Sequence, residues 1–261
     1  MEFKRILLEV KEGIAVITLN DPERLNPLDI NAEIEIEEAC KEVEKRNEIK
    51  AAIITGAGQK AFSAGADIKS YLEMDLIQSI GYIKKIHEAL WTVEHLRKPT
   101  IAAINGLALG GGLELALACS LRFASENARL GLPEINVGVI PGNGGIQRLA
   151  RLIGKGRAMW FILTGEFISA QEALQWGVVN KVFPLPDLMD ACMDFLKNNL
   201  LKKSPTSVWA VIKSLNCGLE TDLKTACEMD LHLSSICMGT EDFKEGVKAF
   251  VEKRKPNFQG K

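Results

Sequence analysis

From Ile101 to Cys119 the chain carries a single charged side chain, Glu114, and the run is interrupted by Gly106 and by three consecutive glycines, Gly110, Gly111 and Gly112. An apolar stretch of this length first suggests a membrane span. The glycine triplet argues otherwise, because glycine weakens a helix interior and belongs where a chain turns sharply or another backbone comes close. The spacing predicts a buried strand over Thr100–Leu109, a glycine turn, and a helix over Leu113–Cys119. This strand-to-helix unit is one of several along the chain, and strands alternating with helices argue for an α/β fold.

The remaining periodicities agree with that class. Phe3–Val10 and Ile14–Leu19 flank the turn Lys11-Glu12-Gly13 as a hairpin. Asp21–Leu28 is a polar loop, Ile30–Arg46 has helical spacing, and Ala51–Thr55 is a short strand. A glycine-rich loop covers Gly56–Asp67, and a long helix covers Leu76–Leu96. A strand near Leu121–Ala124 precedes helices around Ile146–Ile153 and Arg157–Leu163. Ser169 and Glu172 form a capping box for a helix that ends at Trp176-Gly177, before a strand over Val178–Phe183. From Leu188 onward everything reads as helix. The division expected is a core over residues 1–195 and a helical region over 196–261, with no internal repeat and no linker.

Composition narrows the partners. With 32 basic and 34 acidic residues the net charge is −2, which gives no overall field to draw in nucleic acid or an anionic membrane. The six cysteines form no CxxC pair and no zinc-ligand spacing with histidine, as for buried thiols in a reducing compartment. The N-terminus, MEFKRILLEVKEG, has the features of neither a signal nor a transit peptide, so a cytoplasmic location is expected.

Several catalytic patterns fall away. Gly56-Ala-Gly58-Gln-Lys-Ala61 matches a dinucleotide fingerprint, but Phe62–Asp67 does not open the helix which that fingerprint requires. No P-loop and no GxSxG is present, and His87, His95 and His232 have no metal-ligand spacing. What remains is a pair of glycine-rich helix starts, each with a glutamate in an apolar setting. Gly110–Gly112 would free backbone N–H groups to face an oxyanion, with Glu114 one turn on. Burial would raise the pKa of Glu114 and suit it to general acid or base work. The residues alone leave a second possibility open, a structural pairing with Arg122. Glu134, in Leu132-Pro-Glu-Ile, stands before a second such start at Pro141-Gly-Asn-Gly-Gly145; acid/base work and a capping or ion-pair role are both open to it.

Taken together, these pieces resemble the crotonase, or enoyl-CoA hydratase, family. The likeness rests on Ala61–Lys69 (AFSAGADIK), Ile104–Ala116 (INGLALGGGLELA), Leu132–Ile135, Pro141–Leu149 (PGNGGIQRL), Leu163–Glu166 and Glu241–Phe258, in order along nearly the whole chain. The resemblance implies a spiral of ββα units with C-terminal helices that assemble trimers, which pair into hexamers. It implies an oxyanion hole from the N–H groups of Ala66 and Gly111. Glu114 would activate the water that attacks C3, Glu134 would protonate C2, and Gly142 would help hold the water. Coenzyme A would lie along Arg24, Leu25, Ala64, Ala66, Asp67 and Ile68, with Phe250 and Lys253 reaching a neighbouring subunit's ligand. Neither metal nor redox cofactor is implied, since coenzyme A is part of the substrate. The family also hosts isomerases, decarboxylases, dehalogenases and thioester hydrolases, and retention of both glutamates favours hydration. Asn143 and Ile146 depart from the small Ala and Thr usual in the family, which bears on substrate choice. A silent member that binds RNA or acts as a scaffold is the non-enzyme alternative, and the net charge and intact glutamates oppose it.

Overall fold

The structure is a computed structural model that describes residues 3–72 and 74–261, with the backbone alone for Lys69 and Ser70. Its first element is set by two residues. Glu12 and Gly13 both take positive φ, 52° and 77°, and so close a tight hairpin between β1 (Ile6–Lys11) and β2 (Ile14–Leu19). Asp29 then caps α1 (Ile30–Lys45) through the N–H of Ala32. Next come β3 (Ala51–Gly56), β4 (Ala61–Ser63) and α2 (Leu76–Glu94), the last opened by an Asp75–Gln78 capping box.

The pattern strand, short strand, helix then repeats with β5 (Thr100–Ile104), β6 (Leu107–Leu109) and α3 (Gly111–Ala118). A further pair, β7 (Leu121–Ser125) and β8 (Arg129–Gly131), leads to α4 (Gly145–Ile153) and α5 (Lys155–Thr164). β9 (Phe167–Ser169), α6 (Ala170–Trp176) and β10 (Lys181–Phe183) complete the sheets. Long strands order as β1-β2-β3-β5-β7-β10 in one sheet, and the short ones as β4-β6-β8-β9 in another. Pairing is parallel except at the edges β1·β2 and β8·β9. This is the expected α/β spiral of ββα units.

Three sequence expectations need correction. The single strand over Thr100–Leu109 is two, because Asn105 leaves the first sheet and holds Gly56 O and Gly58 O at 2.9 Å, so the chain steps into the second sheet. The loop over Gly56–Asp67 contains β4, whose neighbour Lys60 approaches Gly106 so closely that a Cβ there would sit 2.3 Å from Lys60 O. The strand over Val178–Phe183 shortens to β10, because Gly177 turns left-handed and the N–H groups of Val178 and Val179 both return to Ala173 O.

One face of the long-stranded sheet packs Ile17, Ile54, Ala102 and Ile104 against α1, α2 and α3. The other face packs Ile14, Ile53, Ile101 and Phe123 against α7 (Leu188–Phe195) and the continuing turn at Leu196. α8 (Pro205–Gly218), α9 (Leu223–Met238) and α10 (Glu241–Val251) follow. They leave Leu215, Leu219, Leu231, Val247 and Phe250 exposed. No helix of the described residues is long and apolar enough to cross a membrane.

Candidate active site

The seam between the two sheets is where the glycines act. Gly110, at φ 51° and ψ −125°, is the residue before α3, in a conformation closed to side-chain-bearing residues. Gly65, at φ 96°, lies against it, and a Cβ on Gly65 would meet Leu109 O at 2.8 Å. The chain before α1 runs alongside: Leu28 bridges Ala66 and donates its N–H to Gly65 O at 2.9 Å. Ala66 N lies 3.7 Å from where a Cβ of Gly111 would stand. Gly111 is the first residue of α3, so helix geometry gives its N–H no acceptor within the helix. Two backbone N–H groups from different strand ends therefore meet beside a helix N-terminus, which favours negative charge.

Glu114 stands one turn into α3 and is 1% exposed. Its Oε1 accepts from the N–H groups of Asn143 and Gly145, both at 2.8 Å, and its Oε2 accepts from the Asn143 side-chain amide at 3.0 Å. Burial raises its pKa while these donors oppose the rise. The pairing with Arg122 that the sequence left open does not form. That guanidinium is buried on Val178 O at 2.6 Å and Cys119 O at 2.9 Å. Glu134 lies on the turn Pro133–Val137, with Oε1 3.1 Å from where a Cβ of Gly110 would stand. Its Oε2 is buried with no hydrogen-bond partner. Burial, with some help from the charge of Glu114, pushes its pKa up to about 7.

The expected ligand-binding residues divide into two groups. Arg24 ion-pairs Asp67 at 2.5 Å, and Leu25, left-handed at φ 63°, accepts from the Ala64 N–H at 2.9 Å. These residues, Ala66 and the exposed Ile68 thus form one rim above the two N–H groups. Phe250 and Lys253 lie instead at the end of α10, with Phe250 86% exposed. The adjoining Arg254 is engaged by Glu245 and Glu252, so the basic cluster Lys253–Lys255 is partly neutralised from within.

Other residues were not legible as site residues. Arg148 donates to Asn143 O at 2.9 Å and grips both oxygens of Glu94, at 3.0 and 2.6 Å. His87 meets Gly142 O at 2.7 Å, so a histidine without metal-ligand spacing holds the same loop. Asn26, 1% exposed, bridges Ala57 O and Ala61 O and so fixes the loop that carries Arg24 and Leu25. Glu33, in α1, is another buried carboxyl, and nothing in its run of glutamates singled it out. Among the described residues, no group of three or more His, Cys, Asp and Glu could hold a metal ion.

Comparison with known proteins gives a consistent picture. The sequence model described as Enoyl-CoA hydratase/isomerase matches residues 9–261. The chain is 41% identical to the short-chain-enoyl-CoA hydratase of Clostridium acetobutylicum, over 98% of this chain and 97% of that one. It is 38% identical to the crotonyl-CoA hydratase of Syntrophomonas wolfei over the full length of both. The crystal structure of an enoyl-CoA hydratase from Bacillus anthracis superposes with a TM-score of 0.94 at 38% identity, covering 99% of this chain and 100% of that one.

Proposed function

The chain belongs to the enoyl-CoA hydratase/isomerase family, and from that premise we propose that it adds water reversibly to trans-2-enoyl-CoA to give 3-hydroxyacyl-CoA. The observation that carries this reading is the pair Glu114 and Glu134. Two carboxyls from separate elements flank one glycine seam, and burial raises the pKa of both.

On this reading the thioester carbonyl oxygen sits against the N–H groups of Ala66 and Gly111. Attack at C3 moves electron density onto that oxygen, and donors already in place stabilise it without rearranging. Glu114, whose charged form the donors Asn143 and Gly145 favour, takes a proton from water as the water oxygen bonds to C3. Glu134, with its pKa near neutrality, hands its proton to C2. Return of a proton from Glu114 to Glu134 through solvent resets the pair, so no redox step is involved. Gly142 is assigned to the water's surroundings because His87 and Arg148 fix the loop it shares with Asn143.

Coenzyme A is assigned to the rim of Arg24, Leu25, Ala64, Ala66, Asp67 and Ile68. Phe250 and Lys253 are assigned to a neighbouring subunit's ligand, in a trimer or hexamer held by the helices of residues 196–261. The exposed apolar side chains of α8–α10 support that assembly. The working place assigned is the cytoplasm.

The test is loss of enoyl-thioester absorbance with crotonyl-CoA, alongside Glu114→Gln and Glu134→Gln. Rapid loss in the parent and a fall of roughly 100-fold or more in each variant is the expected result. Persistence of the band with tight binding of the ester would overturn the reading and favour isomerisation or decarboxylation.

A further inference from the structure

Glu33 is 2% exposed on the core-facing side of α1, and its Oε2 is buried with no hydrogen-bond partner. Its position relative to Glu114 follows from how two helices begin. Leu28, just before α1, places Cδ1 3.7 Å from where a Cβ of Gly111 would stand at the start of α3. One turn into α3 is Glu114, and one turn into α1 is Glu33, and the charge of Glu114 adds to the upward shift of the Glu33 carboxyl. Tyr71 ends the turn that follows Ala66 and Asp67, and it meets Tyr82 of α2 edge-on, with ring centroids 5.3 Å apart. The Tyr71 phenol is pushed up first by burial and further by Tyr82, Glu33 and Glu114. One polar cluster therefore lies beyond Glu114, where an apolar lining would suit a plain alkyl chain.

We propose that the Glu33 carboxyl, with the Tyr71 hydroxyl near it, forms a polar floor to the acyl pocket and selects acyl groups that carry an alcohol or ketone oxygen beyond C3. This rests on the assignment of Ala66, Gly111 and Glu114 to the thioester and the attacked carbon. With the carbonyl oxygen at the two N–H groups and C3 at Glu114, the remainder of the acyl group points toward Glu33. A buried polar atom left without a partner costs free energy, and a ligand oxygen that satisfies it recovers this on binding. Burial raises Glu33 to about 8, so at neutral pH it is a protonated acid that can both donate and accept. Either a hydroxyl or a carbonyl oxygen satisfies such a group, whereas a methyl in the same place leaves it unpaired.

The experiment compares two saturated esters of equal heavy-atom count, hexanoyl-CoA and 5-hydroxypentanoyl-CoA. Their Kd values are measured calorimetrically on the full chain as purified, with no turnover needed. The parent should bind the hydroxylated ester at least about tenfold tighter, Glu33→Leu should abolish that preference, and Glu33→Gln should keep most of it. Equal Kd values in the parent, or a ratio that moves less than about twofold in Glu33→Leu, would overturn the polar floor alone. If neither ester binds, the acyl-CoA reading falls and the floor falls with it. Replacing an orphaned carboxyl with Leu removes a buried liability, so a folded variant is expected.

Discussion

The side-chain amide of Asn143 donates to Glu114 Oε2 at 3.0 Å, while its own backbone N–H donates to Oε1 at 2.8 Å, so one residue holds both oxygens of the buried carboxylate. The amide favours the charged form of a group that burial pushes toward neutrality. Asn143→Ala removes that donor and leaves the backbone bond. Glu114 should then hold its proton to higher pH. The acid limb of the kcat profile should move up by about one pH unit, with kcat at neutral pH falling roughly tenfold. An unmoved acid limb would deny the amide this role.

Glu134 must be protonated to supply C2 in the hydration direction, and its pKa is about 7. Hydration should therefore decline as pH rises through that value, and dehydration, which needs the proton that Glu114 hands to the departing hydroxide, should decline alongside it because the overall reaction moves no net proton. Initial rates measured from both ends between about pH 6 and 9 test this. A hydration rate that stays flat or rises through about pH 7 would contradict the assignment.

Two glycines separate catalysis from stability. A Cβ on Gly145 would stand 2.8 Å from Glu114 Cγ and 2.9 Å from Oε1, so Gly145→Ala should displace the carboxyl. It should lower kcat about 100-fold with little change in Tm. A Cβ on Gly112 would stand 2.5 Å from Ser63 O, a backbone atom that cannot yield, so Gly112→Ala should cost about 1–3 kcal/mol in thermal or urea unfolding. Equal damage to Tm in both would show that the carboxyl cannot yield to the added Cβ.

Glu33 gives a stability prediction of definite sign. Its folded pKa, about 8, lies above the ordinary 4.5. Below the lower value both folded and unfolded chains are protonated, and no cost arises. As pH climbs from 4.5 to about 8 the unfolded chain releases its proton while the folded one keeps it, so folding loses stability throughout that window. Glu33→Gln should match the parent near pH 4.5 and exceed it near pH 8 in unfolding free energy, by an amount on the order of a few kcal/mol, with a correspondingly higher Tm. A Tm difference that does not change with pH would count against it.

Much of the fold was legible because it depends on local chemistry. The Ser169–Glu172 box and the helices over 30–46 and 76–96 appear with small changes at their ends. The strand over Thr100–Leu109 was misread because both of its halves are apolar, and what divides them is Asn105 bonding to residues nearly fifty positions away. The glycine seam and its two glutamates were visible as a pattern. Their support was not: Arg148, Glu94 and His87 lie in ordinary helical sequence, and only folding brings them to residues 142 and 143. Glu33 was passed over because a glutamate among glutamates, in INAEIEIEEA, looks like a solvated face.

The position of Glu114, five residues beyond the end of β6, has a consequence for how this chain can change in length. Each residue of an α-helix advances the side-chain direction by about 100°. An insertion or deletion between Leu109 and Glu114 would swing the carboxyl away from Asn143 while leaving the sheets unaltered. Variants of altered length in that short interval should fold and be inert. Length changes in the surface turn at Glu12-Gly13, which aims no side chain at the seam, should leave turnover intact.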